Sequence, residues 1–358
     1  MRIFLTYPQT ARKRLQYLHS QVPESIRAVL PELTGRFESQ ISAVEINHAF
    51  VQALLEEQGL CPKGHELASY KPNSTEDSWV IGALTALKRE WSDDGLEERS
   101  QSMVLTLEAL ARLVPLPSDG RAMRPRIALA GAGLCRQAWE VCIRGYAAVA
   151  FESAIMMKLV GDFIINHLLR TDRSLKICPY VHELFGPTNV ASASNLSRTI
   201  AVPDEEALAK ARADLASPSG GSLNVIVGDY NERAMQDPGT FDAVLTCFYL
   251  DACGDLIQAV DATYTALRSG GIWINCGPLE YDGTSGGHDS GQVRLCADEM
   301  LLYIRRRGFE LLETGSPHCL YTSDPLSMFQ PAFKCCYFAA RKVSPPSKAG
   351  DKSGTFKC

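Results

Sequence analysis

The most constraining feature of the chain is RIALAGAGLCRQAWE at 126–140, where a short run suited to a buried strand enters a glycine-rich turn and then helix-forming sequence without a spacer. Such a turn asks for backbone angles that glycine adopts at little cost, and a cofactor lying on it must approach the main chain closely. Gly131 and Gly133 therefore mark a nucleotide-type site at the end of a first strand. Gly-x-Gly alone is shared with dinucleotide enzymes, but Arg136 replaces the third glycine of their fingerprint. Pyrophosphate on a helix end favours that glycine, whereas S-adenosylmethionine has no phosphate and carries a carboxylate that an arginine can pair with. The turn thus predicts S-adenosylmethionine, with Leu134 among the residues lining it, and disfavours a nicotinamide-dependent oxidoreductase.

Downstream, AAVAFE (147–152), NVIVGD (224–229), DAVLTCFYL (242–250), GIWINCG (271–277) and KCCYFAARK (334–342) are separated by stretches long enough for helices. That alternation predicts a Rossmann-like α/β domain with a mostly parallel sheet covered on both faces. Gly270 and Gly271 read as a helix-to-strand turn. Upstream, Ile41, Val44, Val51, Leu54, Leu55 and then Met103, Leu107, Leu110, Leu113, Val114 follow helical spacing, with a loop-like stretch at 63–77 between them. The Pro- and Gly-containing segment 114–125 reads as a linker. The expected organisation is an N-terminal helical region over 1–115 and a cofactor-binding domain over 116–342. Within that domain an insertion at about 171–223 would lie over the site, and a polar tail over 343–358 would be disordered.

Open α/β sheets bind ligands at the carboxyl ends of their strands. Glu152 closes the second run, 21 residues after Gly131, where an acid accepts hydrogen bonds from ribose hydroxyls. Asp229 and Tyr230 close the third, where the carboxylate would take the adenine amino group and the ring would lie on the base. Cys247 closes the fourth. Each residue taken singly also has a plain structural reading: Glu152 beside a helix cap, Asp229 in a turn, Tyr230 in the core.

With 36 Lys and Arg against 41 Asp and Glu the net charge is −5, which argues against a nucleic-acid substrate. Neither an export signal nor a run long enough to span a membrane is visible, so a cytoplasmic location is expected. The 12 cysteines lack the paired spacing of a zinc site, and free thiols with no metal are expected.

The stretch PRIALAGAGLCRQAWEVCIRGYAAVAFE resembles the opening of the carnosine N-methyltransferase family. The resemblance extends to EWSDDGLEER (90–99), PYVHEL (179–184), FDAVLTCFYLDAC (241–253), LRSGGIWINCGPLEY (267–281) and LSMFQPAFKCCYFAARK (326–342), and so covers roughly 88–342. It implies a class I fold with a seven-stranded sheet, methyl transfer from S-adenosylmethionine to a small molecule, and imidazole methylation in the best-known members. By motif position Gly131, Gly133, Arg136, Glu152, Asp229 and Tyr230 inherit the cofactor role and Asp251 faces the substrate as the catalytic residue. Trp91 and Arg99 either help close the cofactor pocket or form a buried structural pair.

The substrate side departs from the family. Its imidazole-binding histidine follows GPLLY directly, whereas here GPLEY, ending in Tyr281, is followed by Asp282, with His288 six residues further on. Where the family carries consecutive tyrosines this chain has Pro331, Ala332 and Phe333. A site missing those hydroxyls and that imidazole loses much of its preference for a polar dipeptide. Asp251, Tyr281, Asp282, His288, His182, Tyr321 and Phe333 are the expected substrate-side residues, although His182 could simply pack the insertion and His288 could be a solvated loop residue. The first expectation is N-methylation of an imidazole, amine or small peptide, with a substrate diverged from carnosine. An O- or N-methyltransferase of specialised metabolism shares every cofactor residue, and a non-catalytic cofactor-binding partner protein is a further alternative. A homodimer would be compatible with either.

Overall fold

The structure, a computed structural model, describes residues 2–60, 74–118, 123–185, 190–280 and 293–343. Seven strands form the central sheet: β1 (Arg126–Ala130), β2 (Ala147–Glu152), β3 (Ser222–Val227), β4 (Phe241–Cys247), β5 (Leu267–Gly277), β6 (Phe309–Gly315) and β7 (Cys336–Lys342). Their order is β3-β2-β1-β4-β5-β7-β6. The first five run parallel, and β7 is antiparallel to both β5 and β6. A dinucleotide fold continues its parallel order 3-2-1-4-5-6 to the edge. Here a reversed strand is wedged before that edge, which is the class I methyltransferase arrangement expected above.

Burial on both faces explains why β1 reads as continuous apolar sequence. Ala128 and Ala130 pack with Phe151, Trp273 and helices Leu256–Ala266 and Ala297–Arg307. Ile127 and Leu129 face the other way, onto Leu107 and Leu110 of helix Leu105–Leu113 and Ala138 and Val141 of helix Arg136–Ile143. Successive strand residues point to opposite faces, and removing each such Leu or Ile from water contributes roughly 1.5–3 kcal/mol. β6 was not among the apolar runs because, at one edge of the sheet, its run is broken by glutamates. In FELLETG, Glu310 and Glu313 reach out to Arg341 and Arg112, so the hydrophobic signal is diluted. β5 begins at Leu267, so Gly270 and Gly271 lie within the strand rather than before it.

A third core cluster joins the N-terminal helices Arg2–Ser20, Glu32–Glu57 and Ser74–Trp91 to helix Ile155–Phe163 and to the segment after it. The last of these N-terminal helices starts at Ser74, inside the stretch that reads as a loop; residues 61–73 are outside the described residues. Most of the expected tail likewise lies outside them. The segment 171–223 contains two short antiparallel strands, Leu175–Ile177 and Ile200–Val202, and helix Glu205–Ala216, and its end already belongs to β3. Asn47 and Gln40 bind its carbonyls at Cys178 and Val181. No helix among the described residues is long and apolar enough to cross a membrane.

Candidate functional site

The turn after β1 is built from residues in the left-handed region: Gly131 at φ 63°, Gly133 at 55° and Cys135 at 63°. Space makes the same demand as angle. A Cβ on Gly131 would lie 2.6 Å from the Tyr249 ring, and one on Gly133 would lie 2.5 Å from the Glu90 carboxylate. Cys135 gives helix Arg136–Ile143 no side-chain cap. Glu90 supplies one from the end of a distant helix, accepting the Leu134 N–H at 3.2 Å and the Arg136 N–H at 3.3 Å. Glu152 accepts the Gly133 N–H and the Ala154 N–H, each at 2.8 Å. Trp91, fully buried, donates its indole N–H to the Leu134 carbonyl at 3.1 Å.

Both carboxylates therefore serve the turn. Burial holds Glu90 above the ordinary carboxylate range against the opposing effects of Arg89 and the two N–H groups. Burial likewise raises Glu152 against the N–H groups of Ala154, Gly133 and Ser153. The sequence reading gave no role to Glu90, although it lies in the 90–99 motif, because a cap acting across 46 residues has no local signature.

Two expected cofactor contacts are corrected. Arg136 is 1% exposed, and its guanidinium is held by Glu140 at 3.1 Å, by Asp204 at 3.4 Å and by the Glu90 carbonyl at 3.2 Å, beneath Trp91 and Trp139. It braces the back of the turn and is sealed from any carboxylate on the open side. Arg99 joins the same group through Asp204 at 2.7 Å, which makes it a structural pair. Tyr230 is a core residue, edge-on to Phe151 and Tyr249, with its hydroxyl 3.1 Å from that of Thr263. Asp229 stands exposed at the end of β3 and accepts the Glu232 N–H as a helix cap.

A second wall faces the end of β4. Phe248 is a non-glycine residue at φ 51°, its N–H bound to the Cys276 carbonyl at 2.9 Å, a conformation that costs energy and recurs at ligand sites. Its ring stacks on Tyr321 at 4.6 Å, and Phe333 meets both rings edge-on at 6.2 and 6.1 Å. Tyr321 and Phe333 are brought together by a hairpin pairing His318–Leu320 with Ala332–Lys334. The Arg89 guanidinium lies 4.7 Å from the Tyr321 ring centroid and 3.1 Å from Glu98. Two dipeptides thus join the walls: Arg89-Glu90 and Phe248-Tyr249 each put one side chain on the aromatic wall and the next on the glycine turn. Asp251 follows, half-buried, in the turn after β4. Cys247 ends β4 in register with Cys276, and burial pushes its thiol up to about 11.

His182 is a third correction. It is buried against the N-terminal helix, with Nε2 2.8 Å from the Tyr7 hydroxyl, and burial lowers it to about 3. Tyr7 is held in turn by Asn47, so His182 fastens the segment to the helices rather than facing substrate. Arg198, between Asp94 and Asp324, and Tyr180, bonded to Asp94, fasten its other side. Tyr281, Asp282 and His288 lie outside the described residues.

Residues 68–344 match the carnosine N-methyltransferase family. A carnosine N-methyltransferase of Rattus norvegicus is 28% identical over 273 residues, covering 76% of this chain and 65% of the rat protein, just under two thirds of its length. One from Dictyostelium discoideum is 25% identical over 92% of this chain and 72% of its own length, and one from Mus musculus is 25% identical over 90% and 78%. A match that begins upstream of the helix carrying Glu90 and ends beyond β7 takes in both walls of the site, and the chain belongs to the carnosine N-methyltransferase family.

Proposed function

We propose that the chain is an S-adenosylmethionine-dependent methyltransferase acting on a nitrogen of a small imidazole, amine or peptide, with a substrate diverged from carnosine. The observation that carries the reading is the junction of the glycine turn and the aromatic wall through Arg89-Glu90 and Phe248-Tyr249. The turn suits the cofactor because its two left-handed glycines leave main chain exposed to a ligand and the adjacent Glu152 accepts the backbone N–H groups of Gly133 and Ala154. Gly131 and Gly133 would take the cofactor's amino-acid portion and Glu152 the ribose hydroxyls, with Asp229 taking the adenine amino group. With Arg136 sealed away, Arg89, next to Glu90 and paired with Glu98, is a cation placed to meet the carboxylate. When bound, the cofactor supplies a methyl group on a positively charged sulfur, open to in-line attack by a lone pair.

What the protein contributes is position and dryness. Phe248, Tyr321 and Phe333 offer faces and edges to a flat acceptor and keep water from it. Asp251 accepts the N–H of the acceptor's distal nitrogen and so fixes which nitrogen keeps its lone pair. The wall has one phenol, Tyr321, where Phe333 offers none, which supports a less polar substrate than a histidine dipeptide. Mass spectrometry of reactions given S-adenosylmethionine and a panel of histidine dipeptides, histidine derivatives and aromatic amines tests this. A gain of one methyl group on a member other than carnosine is expected, and efficient methylation of carnosine would refute the divergence.

A further inference from the structure

Three thiols from separate segments converge beneath the aromatic wall. Cys276 lies near the end of β5, Cys319 is central to the strand that carries the chain to Tyr321, and Cys335 sits immediately before β7. All three are buried, their sulfurs lie within 4.8 Å of one another, and those of Cys276 and Cys319 are 3.9 Å apart. Filling space does not require this, since alanine or valine would pack the same apolar cluster.

A second observation points to the same place. Residues Ser100–Val104 form one wide π-helical turn, a local cost that is common beside functional sites. Its Gln101 faces the thiols: the backbone carbonyl accepts from the Cys319 thiol at 3.2 Å, and the side-chain oxygen accepts the Leu320 N–H at 2.7 Å. The hairpin carrying Tyr321 and Phe333 is thus registered against the thiols from both sides, Cys319 pairing directly with Phe333.

We propose that Cys276, Cys319 and Cys335 form a metal site for a soft monovalent cation, cuprous copper, held by three thiolates. An all-sulfur set selects soft cations. A metal about 2.3 Å from each of three sulfurs in a plane sets them roughly 4 Å apart, close to the spacing of Cys276 and Cys319. Structural zinc takes four ligands, whereas the group found among the described residues has three. Coordination releases the thiol protons to solvent, and the ion keeps its charge, so no oxidant is involved. The bound ion would staple the hairpin to β5 and β7 and so stiffen the wall that receives the substrate.

The test uses the full chain, reduced and metal-free under anaerobic conditions, titrated with cuprous ion against a cuprous chelator and, in a parallel arm, with zinc ion against a chromophoric one. The wild type and Cys296→Ser, which alters an exposed thiol, should each retain one equivalent of copper. Cys319→Ser should bind at least about tenfold more weakly, and Cys276→Ser/Cys319→Ser/Cys335→Ser should lose the equivalent. X-ray absorption on the loaded wild type should show three sulfur neighbours only, and its melting temperature should rise. This spectrum needs no variant, so a substitution that fails to fold leaves the question decidable. Absence of a copper equivalent in the wild type, its survival in the triple variant, or preferential zinc uptake in a four-coordinate sphere would each overturn the proposal.

Discussion

Replacing Glu152 with alanine separates the cofactor role proposed for that carboxylate from its structural one. The side chain is 8% exposed, and its two oxygens accept the Gly133 and Ala154 N–H groups at 2.8 Å each. Truncation removes the acceptor that the ribose hydroxyls would use, a loss of about 1–3 kcal/mol in cofactor binding. That corresponds to a rise of roughly 5- to 150-fold in Kd. Folding should respond differently. Burial raises Glu152, so its ionised form disfavours the folded state: the group's contribution to stability is present below the ordinary carboxylate range and is lost as pH rises through the raised value. Near neutral pH the cost to the free protein of losing the two N–H bonds in Glu152→Ala is therefore partly offset by relief of the buried charge. Affinity has the opposite pH sign, because the ionised carboxylate is the better acceptor, and Kd should fall as pH rises through the same value. Calorimetric titration with S-adenosylmethionine and its demethylated product across that range, with thermal unfolding of the same samples, measures both. An unchanged Kd in Glu152→Ala, or an affinity that improves toward acid, would refute the assignment.

Arg136→Met should destabilise the fold by about 3 kcal/mol, the lower end for breaking a buried pair, since Asp204 keeps Arg99 and Glu140 keeps Arg144 and Lys210. Denaturant unfolding reads this directly, and unchanged stability with lost cofactor affinity would restore the arginine to the cofactor site. Asp251→Asn should lower turnover on the true substrate by about one to two decades while leaving the Kd for S-adenosylmethionine in place; a fully active variant in steady-state assays would remove Asp251 from the mechanism. Burial would raise Glu140, but Arg136, Lys210 and Arg144 together lower it to about 2. Its stabilisation is thus present above the ordinary carboxylate range and lost as pH falls through that value. The melting-temperature gap between wild type and Glu140→Gln should be wide at neutral pH and close toward acid, and a gap that widens instead would contradict the ion-pair account.

β1, β2, β4, β5 and β7 could be located from apolar runs because strands buried on both faces need little but apolar residues along their length, and β3, at one edge of the sheet and without a buried residue, because its sequence NVIVGD keeps an apolar run. β6 could not, since an edge strand tolerates the glutamates that hide it. Gly131 and Gly133 were legible because backbone angle and close approach are demands made on a single residue, and Glu152 because its place at the end of β2 follows from the chain order. Arg136 and Tyr230 were misread for the same reason in reverse. Motif position fixes where a Cα lies, but whether the side chain turns toward the ligand or the core depends on partners such as Asp204, Glu140 and Thr263 that arrive from elsewhere in the chain. Glu90, the aromatic wall and the three thiols are likewise tertiary. Each is assembled from segments that only folding brings together, and spacing along a sequence carries no information about a contact whose two halves belong to different elements.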